Sequence, residues 1–356
     1  MKTDSLHMEY FAPEKLRLLG SSCLTAAGVS KKNALLVADA LTTTSLRGID
    51  SHGVRLFSHY TKAILLGRVN PKPSFRFKKT MPAIGVLDAD NGLGIAAGFT
   101  AMDHAISMAK KVGMGSVAVS HSSHFGAAGL YTIKAANMGM VGFACTHVEA
   151  LVLPYNGRKP FFGTNAISIA VPVAGEDPIC LDMATTTMTL NKLNMYKAAE
   201  ATIPKGWAAD VNGKITTDSQ KAQYLTHFGG YKGYGFAFMV DVFSSMFTGM
   251  PWGPHIMPMF PLNDKKRNLG HYFWAINIEG FTHLSTFKKR MSTMVDELRA
   301  TPSVSNQPVM VPGDPEKQQF VKRSKEGKIP IPKADLDSLI TVSRELGINP
   351  KKYLDV

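Results

Sequence analysis

The chain has 356 residues, 45% hydrophobic and 19% charged, which excludes a disordered or collagen-like protein and allows roughly two or three domains. Lys plus Arg is 40 against 27 Asp plus Glu, a formal net charge of +13 that favours anionic ligands. The basic residues fall in small clusters at 76–79, 265–267, 288–290 and 322–325, so no nucleic-acid arm stands out.

The first 70 residues read as helical. Pro13-Glu14-Lys15 places a proline in the first turn of a helix carrying Leu16, Leu18, Leu19 and Leu24. Gly28 punctuates, and Ser30 is the N-cap of a second helix with Ala34, Leu35, Val37, Ala38 and Leu41. A third starts near Ser51, carries Val54, Phe57, Tyr60 and Ile64, and ends at Gly67 before Pro71 and Pro73. The middle alternates: a strand at 83–88, a helix at 94–111, a strand at 116–120, an Ala-rich helix at 126–138, and strands at 140–146, 166–173 and 179–183. A long apolar helix at 232–248 follows a glycine-rich turn. A strand at 274–278, an amphipathic helix at 284–297, a polar surface connection at 312–332 and a last helix at 336–346 complete the chain. The pattern predicts an α/β or α+β core.

Asp4 and Glu9 precede any apolar run, so no signal peptide is expected, and no stretch reaches the ~18 consecutive apolar residues of a membrane helix. Cys23, Cys145 and Cys180 are far apart and form no CxxC. They read as core residues of a protein from a reducing, cytoplasmic compartment.

Three glycine motifs differ in meaning. Gly113-Met-Gly115-Ser-Val-Ala118 follows a helix and precedes a strand, so it is a helix stop. Gly92-Leu-Gly94-Ile-Ala-Ala97 follows a strand and opens a helix, but the next strand ends in Ser-His-Ser, where a Rossmann site places an acidic residue. A tight strand-to-helix turn is the better account. Gly229-Gly230-Tyr231-Lys232-Gly233-Tyr234-Gly235 stands before the long apolar helix. Glycines there let backbone N–H groups approach a phosphate or carboxylate, and Lys232 adds a full charge.

Two segments concentrate histidines in polar company. In 47–55, Asp50 or Ser51 can cap a helix, His52 can titrate near neutrality and Arg55 can clamp a carboxylate, with Tyr60 two turns beyond His52. A capped helix with surface charges explains the same residues. In 120–126, His124 lies between a strand end and a helix start, where a general acid/base is often placed. A capping or core role for His121 and His124 also stays open. Their HxxH spacing invites a metal, but no nearby carboxylate or cysteine completes a set, so no metal is assigned. No GxSxG is present.

Taken in order, RGIDSHGVRLFSHY (47–60), SHSSHFGAAGLY (120–131), FFGTNAISIAVP (161–172), LDMATTT (181–187), IPKGWAADVNGKITTD (203–218), GGYKGYGFAFMVD (229–241), RNLGH (267–271) and MVPGDPE (310–316) resemble the malate/L-lactate dehydrogenase type 2 family. The resemblance implies a non-Rossmann nicotinamide-binding α/β fold. A mostly helical domain would be built from 1–75 and 300–356, beside a nicotinamide-binding and substrate region at 76–299. It implies a homodimer that uses NAD or NADP and binds no nucleic acid. By the same resemblance, His124 looks like the catalytic acid/base and His52 like a second active-site histidine. Ser51, Arg55 and Tyr60 look like substrate contacts. Asp182, Met183, Ala184 and Lys232 look like cofactor contacts, joined by Thr146 or His147 and by Gly270 and His271. Many members place the arginine four residues after the DSHG histidine; here Arg55 stands at three and Leu56 at four. The familiar GTNP reads Gly163-Thr164-Asn165-Ala166.

The expected reaction is hydride transfer between nicotinamide and a small 2-hydroxy acid or its 2-keto partner. Malate/oxaloacetate is first, L-lactate/pyruvate second and ureidoglycolate the alternative. A different class, a basic protein that binds nucleic acid or acidic partners, requires aromatics interleaved with the basic clusters for single strands, and the sequence lacks them.

Overall fold

The computed structural model describes residues 8–354; Asp4, used above to argue against a signal peptide, lies outside them. The chain begins with β1 (Met8–Phe11), α1 (Pro13–Ala26), α2 (Lys31–Leu46), α3 (Leu56–Leu65), β2 (Arg76–Met81) and β3 (Ile84–Asp88). Next come α4 (Gly94–Val112), β4 (Met114–Ser122), α5 (Gly129–Asn137), β5 (Met140–Thr146), β6 (Ile167–Val171) and β7 (Ile179–Met183). Then follow α6 (Leu190–Ala198), the short strands β8 (Ala208–Ala209), β9 (Ile215–Thr216) and β10 (Tyr224–Leu225), and α7 (Tyr231–Asp241). The chain closes with β11 (Leu269–Asn277), α8 (Leu284–Arg299), α9 (Asp314–Glu326), β12 (Ile329–Pro332) and α10 (Lys333–Glu345).

The central sheet has seven strands in the order β2-β3-β4-β11-β5-β6-β7. Strands β3 and β4 are parallel, joined through α4, and every other neighbouring pair in the sheet is antiparallel. Gly92–Ala97 is therefore a strand-to-helix turn in a mostly antiparallel sheet. The architecture is α/β and not a Rossmann fold. In α4, Ala97, Ala101, Ala105 and Ala109 recur every four residues and are fully buried against Val117, Val119, Phe273 and Ala275. Small side chains at that spacing let the helix sit close to the sheet. The helix stops at Gly113, whose φ of 87° is the left-handed cap conformation.

A second core is helical. Leu16, Leu19 and Leu24 of α1 meet Val37 and Leu41 of α2, Phe57 and Ile64 of α3, and Leu336, Leu339 and Val342 of α10. Each such buried side chain contributes about 1.5–3 kcal/mol of transfer free energy. Both chain ends supply this core, and β1 pairs antiparallel with β12 from Met8↔Pro332 to Phe11↔Ile329. Leu93, Ile95 and Ala96 join the same cluster, so the head of α4 fastens the helical layer to the sheet. The N-caps follow local chemistry: Ser30 accepts from the Asn33 N–H, and Pro13 opens α1.

Four sequence expectations change. The connection at 312–332 is a helix and a strand, α9 and β12. Its helix signals are polar: Pro315 and two acids in the first turn, Arg323 and Lys325 in the last, and left-handed Gly327 beyond. No apolar stripe marks it. The helix near Ser51 begins at Leu56, with a separate 3-10 turn at Asp50–His52. Neither Asp50 nor Ser51 caps it, because Arg323 holds the Asp50 carboxylate at 2.6 and 2.9 Å and Ser51 bonds His52. The apolar helix at 232–248 splits into α7 and a π turn at Val242–Met246. The basic cluster at 76–79 is part of the edge strand β2, where charge discourages further strand pairing.

Gly94 packs against the backbone of the loop that follows β4, and a Cβ there would collide with the carbonyl oxygens of Ser123 and His124. Gly94→Ala is expected to lower stability by about 1–3 kcal/mol through this overpacking, read as a fall in Tm.

Candidate active site

The loop after β4 is stitched to the head of α4. Ser123 Oγ accepts the Gly94 N–H at 2.9 Å and donates to the Gly92 carbonyl at 3.0 Å. This sets His124 beside α3, where its Nδ1 lies 2.7 Å from the Tyr60 hydroxyl. Tyr60 is buried in the helical core. The His52 ring stacks on His124 with centroids 5.4 Å apart and planes at 26°. Ser51 Oγ holds His52 Nδ1 at 2.8 Å. The structure thus brings Ser51, His52, Tyr60 and His124 together. Among the described residues, no hydrogen bond occupies His124 Nε2.

Burial sets the charge state of this group. It pushes His124 well below the ordinary imidazole range, helped by His52 and Arg267. It lowers His52 to about 4, with Arg55 adding to the effect. His59, adjoining Tyr60 on α3, falls to about 4 for the same reason, with Arg267 and Arg68 contributing. The Tyr60 hydroxyl is pushed up by burial and stays protonated. Near neutral pH these rings are uncharged bases held in a positive field.

A cavity beside them is lined by Tyr60, His59, Ser123, His124, Arg68 and Arg267, among others. Both guanidiniums are buried, Arg68 at 2% and Arg267 at 5% exposure. Arg68 donates to the carbonyls of Lys265, Met259 and Pro258 at 3.0, 2.9 and 2.5 Å. Arg267 Nε donates to the Met257 carbonyl at 3.0 Å, and its Nη2 pairs with Glu149. Glu149 also accepts the Met259 N–H at 2.9 Å. Arg267, read in the sequence only as part of a small basic cluster, is thus buried and paired.

Thr146, His147, Gly270 and His271 form a buried network beneath the loop. His271 is completely buried, with Nδ1 2.7 Å from Thr146 Oγ1 and Nε2 near Ser122 Oγ and the Ser123 carbonyl at 2.8 and 3.1 Å. The Gly270 N–H donates to His147 Nε2 at 3.0 Å, while His147 Nδ1 meets Asp241 at 3.1 Å. Asn165 Nδ2 donates to the second Asp241 oxygen at 3.0 Å. The ring nitrogens of both histidines are engaged inside the protein. Burial lowers His271 to about 3, with His147 adding to it.

The remaining predicted residues are distributed. Arg55 turns to α10, with Nε 3.0 Å from Asp335 and Nη1 3.4 Å from Asn191. Leu56, one position on, is buried in the helical core. Asp182 accepts the Gly129 N–H at 2.7 Å, at the start of α5, and burial raises it to about 6. Met183 and Ala184 are half-buried. Past them, Thr186 bridges to His227, which carries the LDMATTT segment alongside the glycine turn. Gly229 and Gly230 have φ of 57° and 64°, with open space at the Gly229 Cβ position and only Tyr155, at 3.9 Å, near that of Gly230, and exposed Lys232 lies in the first turn of α7. His227 Nε2 and Thr186 Oγ1 are buried without partners. Open glycine backbone, a helix N-terminus, a lysine and two unsatisfied polar atoms fit a phosphate-bearing polar cofactor.

His121 bonds Asp88 through Nδ1 at 3.2 Å while His124 bonds Tyr60, so the HxxH pair shares no partner. Among the described residues no group of three His, Cys, Asp or Glu is placed to hold a metal. Sequence reading missed Arg68, Arg267, Glu149, Asp241 and Asn165. Arg267 opens the RNLGH segment, and Asn165 and Asp241 lie in two other quoted segments, so their motifs were visible; their mutual contacts were not.

Six histidines, His52, His59, His104, His124, His227 and His271, are lowered by burial and give the fold an acid limit. Their folded pKa values lie below the unfolded value of about 6.5, so the unfolded state binds more protons as pH falls from about 6.5 to about 4. Asp182 and Asp335, both raised by burial, work in the opposite sense, two groups against six. Tm is expected to fall across that window and to be level above it; a Tm that rises between pH 6.5 and 4.5 contradicts the neutral assignment.

A family model described as malate/L-lactate dehydrogenase matches residues 11–340. Malate dehydrogenase from Pyrococcus abyssi is 38% identical over 91% of each chain. A ureidoglycolate dehydrogenase (NAD(+)) from Escherichia coli K12 is 33% identical over 88% of this chain and 90% of its own. The solved structure of sulfolactate dehydrogenase from Methanocaldococcus jannaschii superposes with a TM-score of 0.92 at 34% identity, covering 97% of this chain and 99% of that one. With its fold and motif segments alike accounted for, the chain belongs to the malate/L-lactate dehydrogenase family.

Proposed function

We propose that this protein is a nicotinamide-dependent oxidoreductase that interconverts a small 2-hydroxy acid and its 2-keto acid. Malate/oxaloacetate is the first candidate and L-lactate/pyruvate the second. Ureidoglycolate stays as the alternative, on the strength of the relative that carries that name. The observation that carries the reading is the placement of His124, bonded to Tyr60, stacked on His52 and facing an arginine-lined cavity.

In oxidation, His124 Nε2 takes the proton of the substrate hydroxyl while Nδ1–H donates to the Tyr60 oxygen. That second bond fixes the tautomer with a free Nε2 and steadies the imidazolium that forms. In reduction, the same nitrogen returns the proton to the new alkoxide. His52, oriented by Ser51, lies where it can direct the substrate oxygen. When bound, the nicotinamide supplies the hydride acceptor or donor. Gly229, Gly230 and Lys232, with the strand end at Asp182, Met183 and Ala184, are the residues we assign to holding it, as NAD or NADP. Thr146, His147, Gly270 and His271 act from beneath by fixing the loop that carries His124.

We also read the protein as a cytoplasmic homodimer. Three buried free thiols support a reducing compartment. No helix among the described residues is long and apolar enough to cross a membrane. Phe236, Phe238 and Met239 on α7, and Met246 and Phe247 beyond it, are each about half exposed, an apolar surface of the kind that protein contacts cover.

His124→Ala is expected to lower kcat by about 10²–10⁴-fold with cofactor Kd unchanged, assayed with NADH and NADPH against a panel of 2-keto acids; undiminished turnover in the variant removes His124 from the mechanism. In the oxidation direction, kcat/KM is expected to hold level as pH falls from 7.5 to 6, whereas a histidine of about 6.5 loses most of its basic form there. Sedimentation velocity checks the assembly: a Phe236→Ser/Phe247→Ser protein is expected to shift from dimer to monomer.

A further inference from the structure

We infer that Arg267, through its Nη1, is the residue that anchors the substrate carboxylate. The inference deepens the 2-hydroxy-acid reading and rests on it. Arg267 is 95% buried and lines the same cavity as His124 and Tyr60. Its Nε and Nη2 have partners, but Nη1 is buried with none. A guanidinium nitrogen stripped of water and left without an acceptor is costly unless something else completes it.

The charge count points to an anion. Arg68 and Arg267 bring two positive charges to the cavity. Glu149 brings one negative charge and is already engaged by Arg267 and by the Met259 N–H. Arg68 is held by three carbonyl oxygens, which are neutral. His52, His59 and His124 are uncharged near neutral pH. The balance is one unmatched positive charge, and one carboxylate cancels it. The obvious rival is Arg55, but its guanidinium is paired with Asp335 and Asn191 and it does not line this cavity. At the position where many family members carry the arginine stands Leu56, packed into the helical core. Arg267 lines the cavity from the turn before β11, where the Met257 carbonyl and Glu149 hold its Nε and Nη2. The substrate class that follows has a carboxylate next to the carbon that reacts at His124.

The test uses the full-length protein loaded with NADH and oxamate, a non-reacting 2-keto acid analogue, titrated by calorimetry. Arg267→Gln alone leaves Glu149 buried and unpaired, so Glu149→Gln/Arg267→Gln is made beside it. Both are expected to keep the wild-type NADH affinity and to weaken oxamate by about 100-fold. Oxamate affinity within threefold of wild type in either folded variant overturns the assignment, and so does equal wild-type affinity for oxamide, which lacks the carboxylate. A wild-type protein that binds NADH but not oxamate overturns the 2-hydroxy-acid reading itself, and the assignment with it. A crystal structure of the wild-type NADH–oxamate complex reads the contact with no substitution. A carboxylate on Arg267 Nη1 supports the inference, and a carboxylate on Arg55 or elsewhere ends it.

Discussion

The hydrogen bond between Tyr60 and His124 joins two parts of the molecule that different cores hold in place. Tyr60 is immobilised by the helical layer, and His124 by a loop clamped to the head of α4 and backed by Phe125 in the sheet core. A contact of 2.7 Å survives only if both cores are set in register. The shared residues Leu93, Ile95 and Ala96 supply that register, since they belong to the helical core yet lead directly into the helix that packs on the sheet. The His124 ring is thereby positioned by rigid elements, although it sits in a loop.

Electrostatics at this site follows from desolvation more than from pairing. Few carboxylates approach the histidines, so burial drives them neutral and nearby arginines reinforce the shift. The arginines stay charged because their N–H groups donate to backbone carbonyls and to Glu149. The outcome is a set of uncharged bases next to fixed positive charge, an arrangement that favours an anionic ligand. Beneath it, the chain from Asn165 through Asp241 and His147 to Gly270, and from His271 to the Ser123 carbonyl, satisfies almost every polar atom it buries.

Much of this was readable from the sequence. Leucine and alanine spacing located α1, α2 and α4, because apolar periodicity and core burial are the same fact seen twice. The DSHG and SHFG segments held Ser51, His52 and His124, and Tyr60 was reachable from helical spacing. What escaped was either polar or long-range. Helix α9 has end signals but no apolar stripe, so it reads as a connection. The 3-10 turn at Asp50–His52 depends on Arg323, 273 residues away. Arg267 read only as part of a small basic cluster because burial of a guanidinium is decided by tertiary partners such as Glu149 and Met257, which no local pattern announces. Arg55 illustrates the converse: its sequence neighbourhood was right, and its direction was set by Asp335 on α10.

The ladder between β1 and β12 carries a consequence for biosynthesis. Met8 finds its partner only at Pro332, and the helical core also needs Leu336, Leu339 and Val342. On the ribosome, α1, α2 and α3 emerge first with their apolar faces complete but their last wall unmade. The α4–β4–α5–β5 segment is contiguous in sequence and can collapse as it emerges, whereas the helical layer waits for nearly the whole chain. The nascent protein thus exposes Leu16, Leu19, Phe57 and Ile64 for most of its translation, and the layer that holds Tyr60 is the last to be sealed.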